Sequence, residues 1–242
     1  MSTSTELLKQ HWFGEIGILE SHFESASVAV TAHAKSLVGY SGAIAFHHQK
    51  SWVLSLPAGM VDSVRRKILG QSTAELFNVV GLSRLFGHSV ESIIGPAWVG
   101  KIEHKDFKAC HTGNGRLLRS TDWTDFDKFL RQSNKTEVEH SALASKREPT
   151  VGVFHNGRIV AAASYEILEG AVAHIGVLSS KEFRGKGFAK EAVRLITEIA
   201  LSRNIGIQYQ TLKENLPSVS VAQSLGFTEF AETLAVRLRS LT

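Results

Sequence analysis

Lys181, Arg184, Lys186 and Lys190 crowd two glycines, Gly185 and Gly187. An apolar run, residues 171–178, precedes them and reads as a buried strand. After them Ala189, Ala192, Val193, Ile196 and Ile199 or Ala200 fall on one face of a helix. Strand, basic turn, helix is an arrangement that aims unpaired backbone N–H groups at one point, with the positive end of the helix dipole behind them. The chemistry is anion binding, and phosphate is the usual biological anion at such a turn. The glycines let the backbone approach a ligand closely, and Arg184, Lys186 and, further along, Arg194 add full charges. The dinucleotide pattern GxGxxG fails, because Phe188-Ala189-Lys190 follows the second glycine. No GK[ST] phosphate loop is present either.

A second stretch lies downstream: Asn215-Leu216-Pro217-Ser218-Val219-Ser220-Val221-Ala222-Gln223-Ser224-Leu225-Gly226-Phe227. It reads as the end of a strand, a short helix with Pro217 in its first turn, and Leu-Gly-Phe opening another strand. The spacing Arg184-x-x-Gly187-x-Ala189 after a strand, followed at this distance by the Asn215 to Phe227 segment, resembles the GNAT superfamily of N-acetyltransferases over about residues 116–240. That resemblance implies acetyl transfer from acetyl-CoA, as co-substrate, to a primary amine of a small molecule or peptide. Attack would be direct, in a ternary complex. Backbone groups of Val177, Leu178 and Ser179 would pair with the pantetheine arm like an added strand. The turn Arg184, Gly185, Lys186, Gly187, Phe188, Ala189 and Lys190 would hold the pyrophosphate. Asn215 and Ser218 would lie near the pantetheine and the sulfur.

Such a transfer needs a neutral amine, a polarised carbonyl and a protonated leaving thiolate. His174 and Glu166, with Glu169 beside them, are the candidates for the base; each also reads as an ordinary strand or turn residue. Many members of the family place a tyrosine four residues before the position of Gly226. Here Ala222 stands there, so either Ser218, Ser220, Tyr209 or water protonates the thiolate, or the leaving thiolate needs no specific acid. Two other readings stay open: a catalytically silent acyl-CoA-binding module, and an acetyltransferase acting on an RNA-linked amine.

At 242 residues the chain has room for two domains. Hydrophobic and charged contents of 43% and 21% suit a soluble globular protein rather than a disordered one. A single cysteine, Cys110, excludes an intrachain disulfide framework. No signal-type segment and no run of about 18 apolar residues is present, so the expected location is the cytoplasm. The net charge of +4 is mildly basic and partly local, in Lys181, Arg184, Lys186, Lys190 and Arg194, and with no aromatic-interleaved basic cluster nucleic acid is not an expected partner. The partners expected are acetyl-CoA and an amine acceptor, with no membrane and with a homodimer allowed. His47-His48 invites a metal reading, but neighbours on a strand face opposite sides, and no metal is expected.

The fold class expected is α/β, a mixed α+β sheet, with a smaller α/β domain at 1–113 ahead of a GNAT domain at 116–242. The boundary lies at Thr112-Gly113-Asn114-Gly115. In the first domain the pattern predicts helices over residues 5–13 and 25–37, strands at 42–48 and 51–57, and a helix at 60–69. A capping box at Ser72 and Glu75 starts a helix running towards Leu85, and a strand from Val90 ends in a turn at Gly95-Pro96. In the second, a strand at 116–119, a helix from the Ser120-Thr121-Asp122 cap to about Arg131, and a short helix within 133–147 precede a hairpin around Asn156-Gly157. Glu137, Glu139 and His140 read first as a solvated helix face and second as acceptor contacts. Strands at 206–212, 226–230 and 233–238 complete the domain.

Overall fold

The computed structural model describes residues 3–23, 27–109, 113, 115–141, 143, 149–169 and 171–239. Cys110, Thr112, Asn114 and residues 144–148, which figure in the expectations above, lie outside them.

In chain order the elements are α1 (Ser4–Ile16), β1 (Val28–Ala32), β2 (Ala43–His48), β3 (Ser51–Leu56), α2 (Val61–Ile68), α3 (Thr73–Leu76), α4 (Val79–Phe86), β4 (Val90–Lys101) and β5 (Gly115–Leu117). Then come α5 (Trp123–Gln132), α6 (Lys135–Ser141), β6 (Thr150–His155), β7 (Arg158–Leu168), β8 (Val172–Ser179), α7 (Phe188–Ser202), β9 (Gly206–Leu212), α8 (Leu216–Ser224) and β10 (Thr228–Leu238). The chain is a mixed α/β fold, and no described helix is long and apolar enough to cross a membrane. It divides into two compact units that do not follow a linear cut. One comprises 1–8, 100–210 and 216–228, the other 9–99, 211–215 and 229–242.

The first unit carries the strand order β9-β8-β7-β6-β5. Its central pair, β7 and β8, is antiparallel from Leu168↔Val172 to Ala161↔Ser179. The β6–β7 hairpin turns at Asn156 and Gly157, both at positive φ (49° and 73°), as the Asn-Gly signal requires. Phe126 and Phe129 of α5, with Val138 and Leu143 at α6, pack with Leu178 of β8 and Ala162 of β7. The helical stripe of α7 is buried at Ala192, Val193, Ile196 and Ala200, and α7 packs on β6, β7 and β8.

The second unit carries the order β1-β3-β2-β10-β4. Its core combines Ala43, Ala45, Leu54 and Leu56 with Leu82 and Phe86 of α4 and Leu234 and Val236 of β10. Several local expectations change here. Residues 28–32 form a strand, parallel to β3, where a helix was expected. The β-branched Val28, Val30 and Thr31 favour the pleat that β3 offers them. The Ser72–Glu75 capping box is present, but its helix stops at Leu76. Asn78 then caps a separate helix, accepting from Gly81 N–H at 2.9 Å. The strand from Val90 does not turn at Gly95-Pro96; it runs on to Lys101. The expected pair of strands at the C-terminus is one continuous strand, β10, because Glu232 to Val236 pair without interruption with β2. His47 and His48 face opposite sides: His47 stacks on Trp52 (centroids 4.3 Å apart), while His48 Nδ1 lies 2.6 Å from the carbonyl of Phe230.

Candidate functional site

The basic turn leaves β8 at Ser179, makes a short 3-10 turn over Lys181–Phe183, and enters α7 through Gly185 and Gly187. Both glycines hold positive φ, 75° and 84°, and a Cβ at either would meet nothing within 4 Å. Glycine is required there by backbone conformation, not by crowding. The first helical backbone bond of α7 runs from Glu191 N–H to Gly187 O (3.0 Å), so the N–H groups ahead of it have no intrahelical acceptor. Lys181, Glu182 and Arg184 to Gly187 are all exposed. Phe183 and Phe188 form an aromatic cluster with His155 at the end of β6, with centroids 5.4 to 6.0 Å apart, which pins both ends of the turn. Phe188, Ala189 and Lys190 are half-buried in the first turn of α7.

The cations divide into distinct roles. Lys186 Nζ sits over the Phe183 ring at 5.1 Å. Arg184 Nη2 donates to Glu137 Oε2 on α6 at 2.7 Å. Arg194 does not belong to the anion turn. It is 3% exposed, clamped through Nε and Nη2 by both oxygens of Glu191 and reaching Glu198 through Nη1 at 2.9 Å. The i, i+3 and i+4 spacing stacks these three on one helix face, which neutralises the charge that the sequence suggested for phosphate.

Strand β8 has two different edges. Its pairing with β7 continues to Ser179. Its parallel pairing with β9 stops at Ile175↔Tyr209. Residues 176–179 thus continue as strand with no β9 partner among the described residues. Val177 and Ser179 are half-buried there, and Leu178 is buried in the α5–α6 cluster. Gly176 serves a second purpose: a Cβ there would collide with the carbonyl oxygen of Ser141, so glycine lets the end of α6 close onto the strand.

One row short of the parting, Glu166, His174 and Gln208 stand side by side on β7, β8 and β9. Alternation puts His174 on the face of Gly176 and Leu178, the face covered by α5 and α6. Gln208, 2% exposed, donates through Nε2 to His174 Nδ1 at 3.0 Å. A neutral imidazole that accepts at Nδ1 carries its proton on Nε2. With its Nδ1 so engaged, His174 has the half-buried carboxylate of Glu166 directly across from it on β7. The sequence reading passed over Gln208. A buried polar side chain in the run Gly206-Ile207-Gln208-Tyr209 was the available signal.

The next row, Tyr165, Ile175 and Tyr209, faces the other way. Tyr165 Oη accepts from Arg203 just past α7 (2.7 Å), and Tyr209 Oη lies 2.8 Å from Ser218 Oγ on α8. Burial pushes the Tyr209 phenol up to about 12, against the opposing hydrogen bond to Ser218. It therefore stays protonated and holds Ser218 in place, and it is a poor proton source. Ala222 is fully buried, so no side chain from that position reaches the site. Asn215 precedes α8 and donates its N–H to Leu212 O at 3.0 Å. Glu169 lies past the end of β7 in the turn to β8.

Residues 116–227 match the sequence model described as the Acetyltransferase (GNAT) family. Among solved structures, a GNAT-family acetyltransferase from Colwellia psychrerythraea is similar at 15% identity over 66% of this chain and 62% of its own, with a TM-score of 0.50. A GCN5-related N-acetyltransferase-like protein from Streptococcus suis is similar at 16% identity over 82% and 84%, with a TM-score of 0.48. A GNAT-family protein from Novosphingobium aromaticivorans gives 18% identity over 61% and 65%, with a TM-score of 0.47. The chain thus spans about three-fifths of the length of the Colwellia protein. No curated protein matches.

Proposed function

From the premise that residues 116–227 form a GNAT acetyltransferase domain, we propose that this chain transfers an acetyl group from acetyl-CoA to a primary amine of a small molecule or peptide. The observation that carries the proposal is the end of the β8–β9 pairing at Ile175↔Tyr209, directly upstream of the basic turn into α7. An extended pantetheine arm can take the place of the missing strand along Val177 to Ser179. The pyrophosphate then meets the turn from Arg184 to Lys190, where the N–H groups ahead of the Glu191–Gly187 bond have no intrahelical acceptor. Ser218, hydrogen-bonded to Tyr209 at the start of α8, would meet the sulfur end of the arm, with Asn215 just ahead of it.

In the reaction the amine gives its proton to Glu166, directly or through water. Its lone pair adds to the thioester carbonyl carbon, and backbone N–H groups of β8 stabilise the oxyanion. The adduct nitrogen gives up its second proton to water, the C–S bond breaks, and the thiolate takes one proton from water and leaves as coenzyme A. His174, held by Gln208, orients Glu166 and the acceptor.

A silent acyl-CoA-binding role is the second reading. Ala222 favours it, since the position that could protonate the thiolate is a buried methyl.

The test is the melting temperature with and without acetyl-CoA, followed by release of free thiol in the presence of simple amines. Ligand at about 100 times its dissociation constant adds roughly 2.7 kcal/mol, a shift of about 5 to 10 °C for a chain of this size. A shift with thiol release supports the enzyme, and a shift without it supports the silent module. No shift at millimolar acetyl-CoA overturns both readings.

A further inference from the structure

We infer that Glu137 is a built-in competitor for the cofactor's phosphate, occupying Arg184 until acyl-CoA displaces it. The inference rests on the reading of residues 184–190 as a pyrophosphate site, and it adds a regulatory contact to that site.

Arg184 is the residue immediately before Gly185, at the mouth of the turn. Its guanidinium is engaged by a carboxylate, Glu137 Oε2, at 2.7 Å. The partner comes from another element, α6, 47 residues away in sequence. A guanidinium prefers planar oxyanions, and carboxylate and phosphate compete for the same donors. Glu137 thus presents to Arg184 the same chemistry that a pyrophosphate oxygen would present.

The position of α6 is fixed independently of this pair. Val138 and Leu143 pack with Leu178, and the Ser141 carbonyl lies against Gly176. Glu137 is therefore held beside the turn whether or not Arg184 is bound to it. Both side chains are about half exposed, 46% and 43%, so the pair is weak enough to be exchanged. Glu139, two residues on, is oriented to Lys135 instead, at 4.0 Å. It carries the same charge on the same helix without touching Arg184, and so serves as the control for simple repulsion of an anion.

The probe is coenzyme A, titrated calorimetrically at low salt into wild type, Glu137→Gln, Glu139→Gln, Arg184→Ala and the double variant Glu137→Gln/Arg184→Ala. Glu137→Gln is expected to bind coenzyme A about two- to fivefold more tightly, the range that an exposed ion pair supports. Glu139→Gln stays within twofold of wild type. Arg184→Ala binds more weakly, and in its background Glu137→Gln has no further effect, because the residue being competed for is gone. The inference is overturned if Glu137→Gln binds no more tightly than wild type, if Glu139→Gln gains as much, or if the gain persists without Arg184. In each of those cases coenzyme A still binds and the cofactor site stands. If no variant, wild type included, binds coenzyme A, the reading of the site fails and the inference fails with it.

Discussion

Gln208 Nε2 lies 3.0 Å from His174 Nδ1, across the last rows of parallel pairing before β8 and β9 part. The bond uses the imidazole nitrogen that would otherwise accept a proton, and Gln208 is too buried to be displaced by solvent. Across β7, Glu166 faces the same histidine in register. The two base candidates are neighbours with unequal chemistry.

Glu166→Gln is expected to lower kcat by roughly 10²- to 10⁴-fold, the usual size of general-base catalysis. His174→Gln costs less and acts on the acceptor's KM as much as on kcat. Steady-state kinetics with a responsive amine separates them. A larger kcat loss at His174 than at Glu166 would return the base role to the imidazole.

Gly187→Glu places a side chain at φ 84°, a left-handed conformation that costs a non-glycine residue about 1–2 kcal/mol. It also sets a negative charge where phosphate is expected. The cofactor-free melting temperature should fall by a few degrees. The acetyl-CoA-induced shift should vanish. Retention of the full shift in this variant would place the pyrophosphate elsewhere.

Gly176→Ala introduces a methyl where the Ser141 carbonyl now lies. Because that oxygen is backbone, relief requires α6 to move, at a cost of about 1–3 kcal/mol. The variant should raise the KM for the acceptor more than that for acetyl-CoA. An equal effect on both substrates would show that α6 does not shape the acceptor side.

His48 gives a pH dependence of stability in the other compact unit. Burial lowers its pKa, opposed by the hydrogen bond to the Phe230 carbonyl, and its Nε2 is buried without a hydrogen-bond partner among the described residues. Burial also lowers that of His33. A histidine with a depressed folded pKa takes up protons more readily when unfolded. Stability is therefore full above the unfolded value near 6.5 and falls as pH drops below it. Urea midpoints measured from pH 8 to pH 5 should decline through this window, and the decline should be shallower in His48→Leu, whatever that variant's stability at pH 8. An unchanged slope would assign the effect to other groups.

Much of the first unit is legible in the sequence because its signals are local. Asn156-Gly157 needs only its own positive φ to make a hairpin, and the stripe Ala192, Val193, Ile196, Ala200 needs only helical periodicity. Gly185 and Gly187 before α7 belong to the same class. Where a partner strand decides the conformation, local signals mislead. Residues 28–32 lie in an Ala- and Val-rich run read as helix, and the pairing with β3 makes them a strand, while β10 stays a single strand because β2 pairs with it from Glu232 to Val236.

Residue types in order determined the basic turn, the segment from Asn215 to Phe227 and the absence of a tyrosine at Ala222, since each is a matter of identity and spacing. Which charges serve the turn was decided only in three dimensions. Arg184 and Arg194 are alike in sequence, yet one reaches across to Glu137 and the other is sealed between Glu191 and Glu198. The pairing of His174 with Gln208 is of the same kind. Electrostatic and hydrogen-bonding partners are set by distances of a few ångströms, and residues 34 or 47 positions apart are brought to those distances by strand register and helix packing, not by sequence spacing.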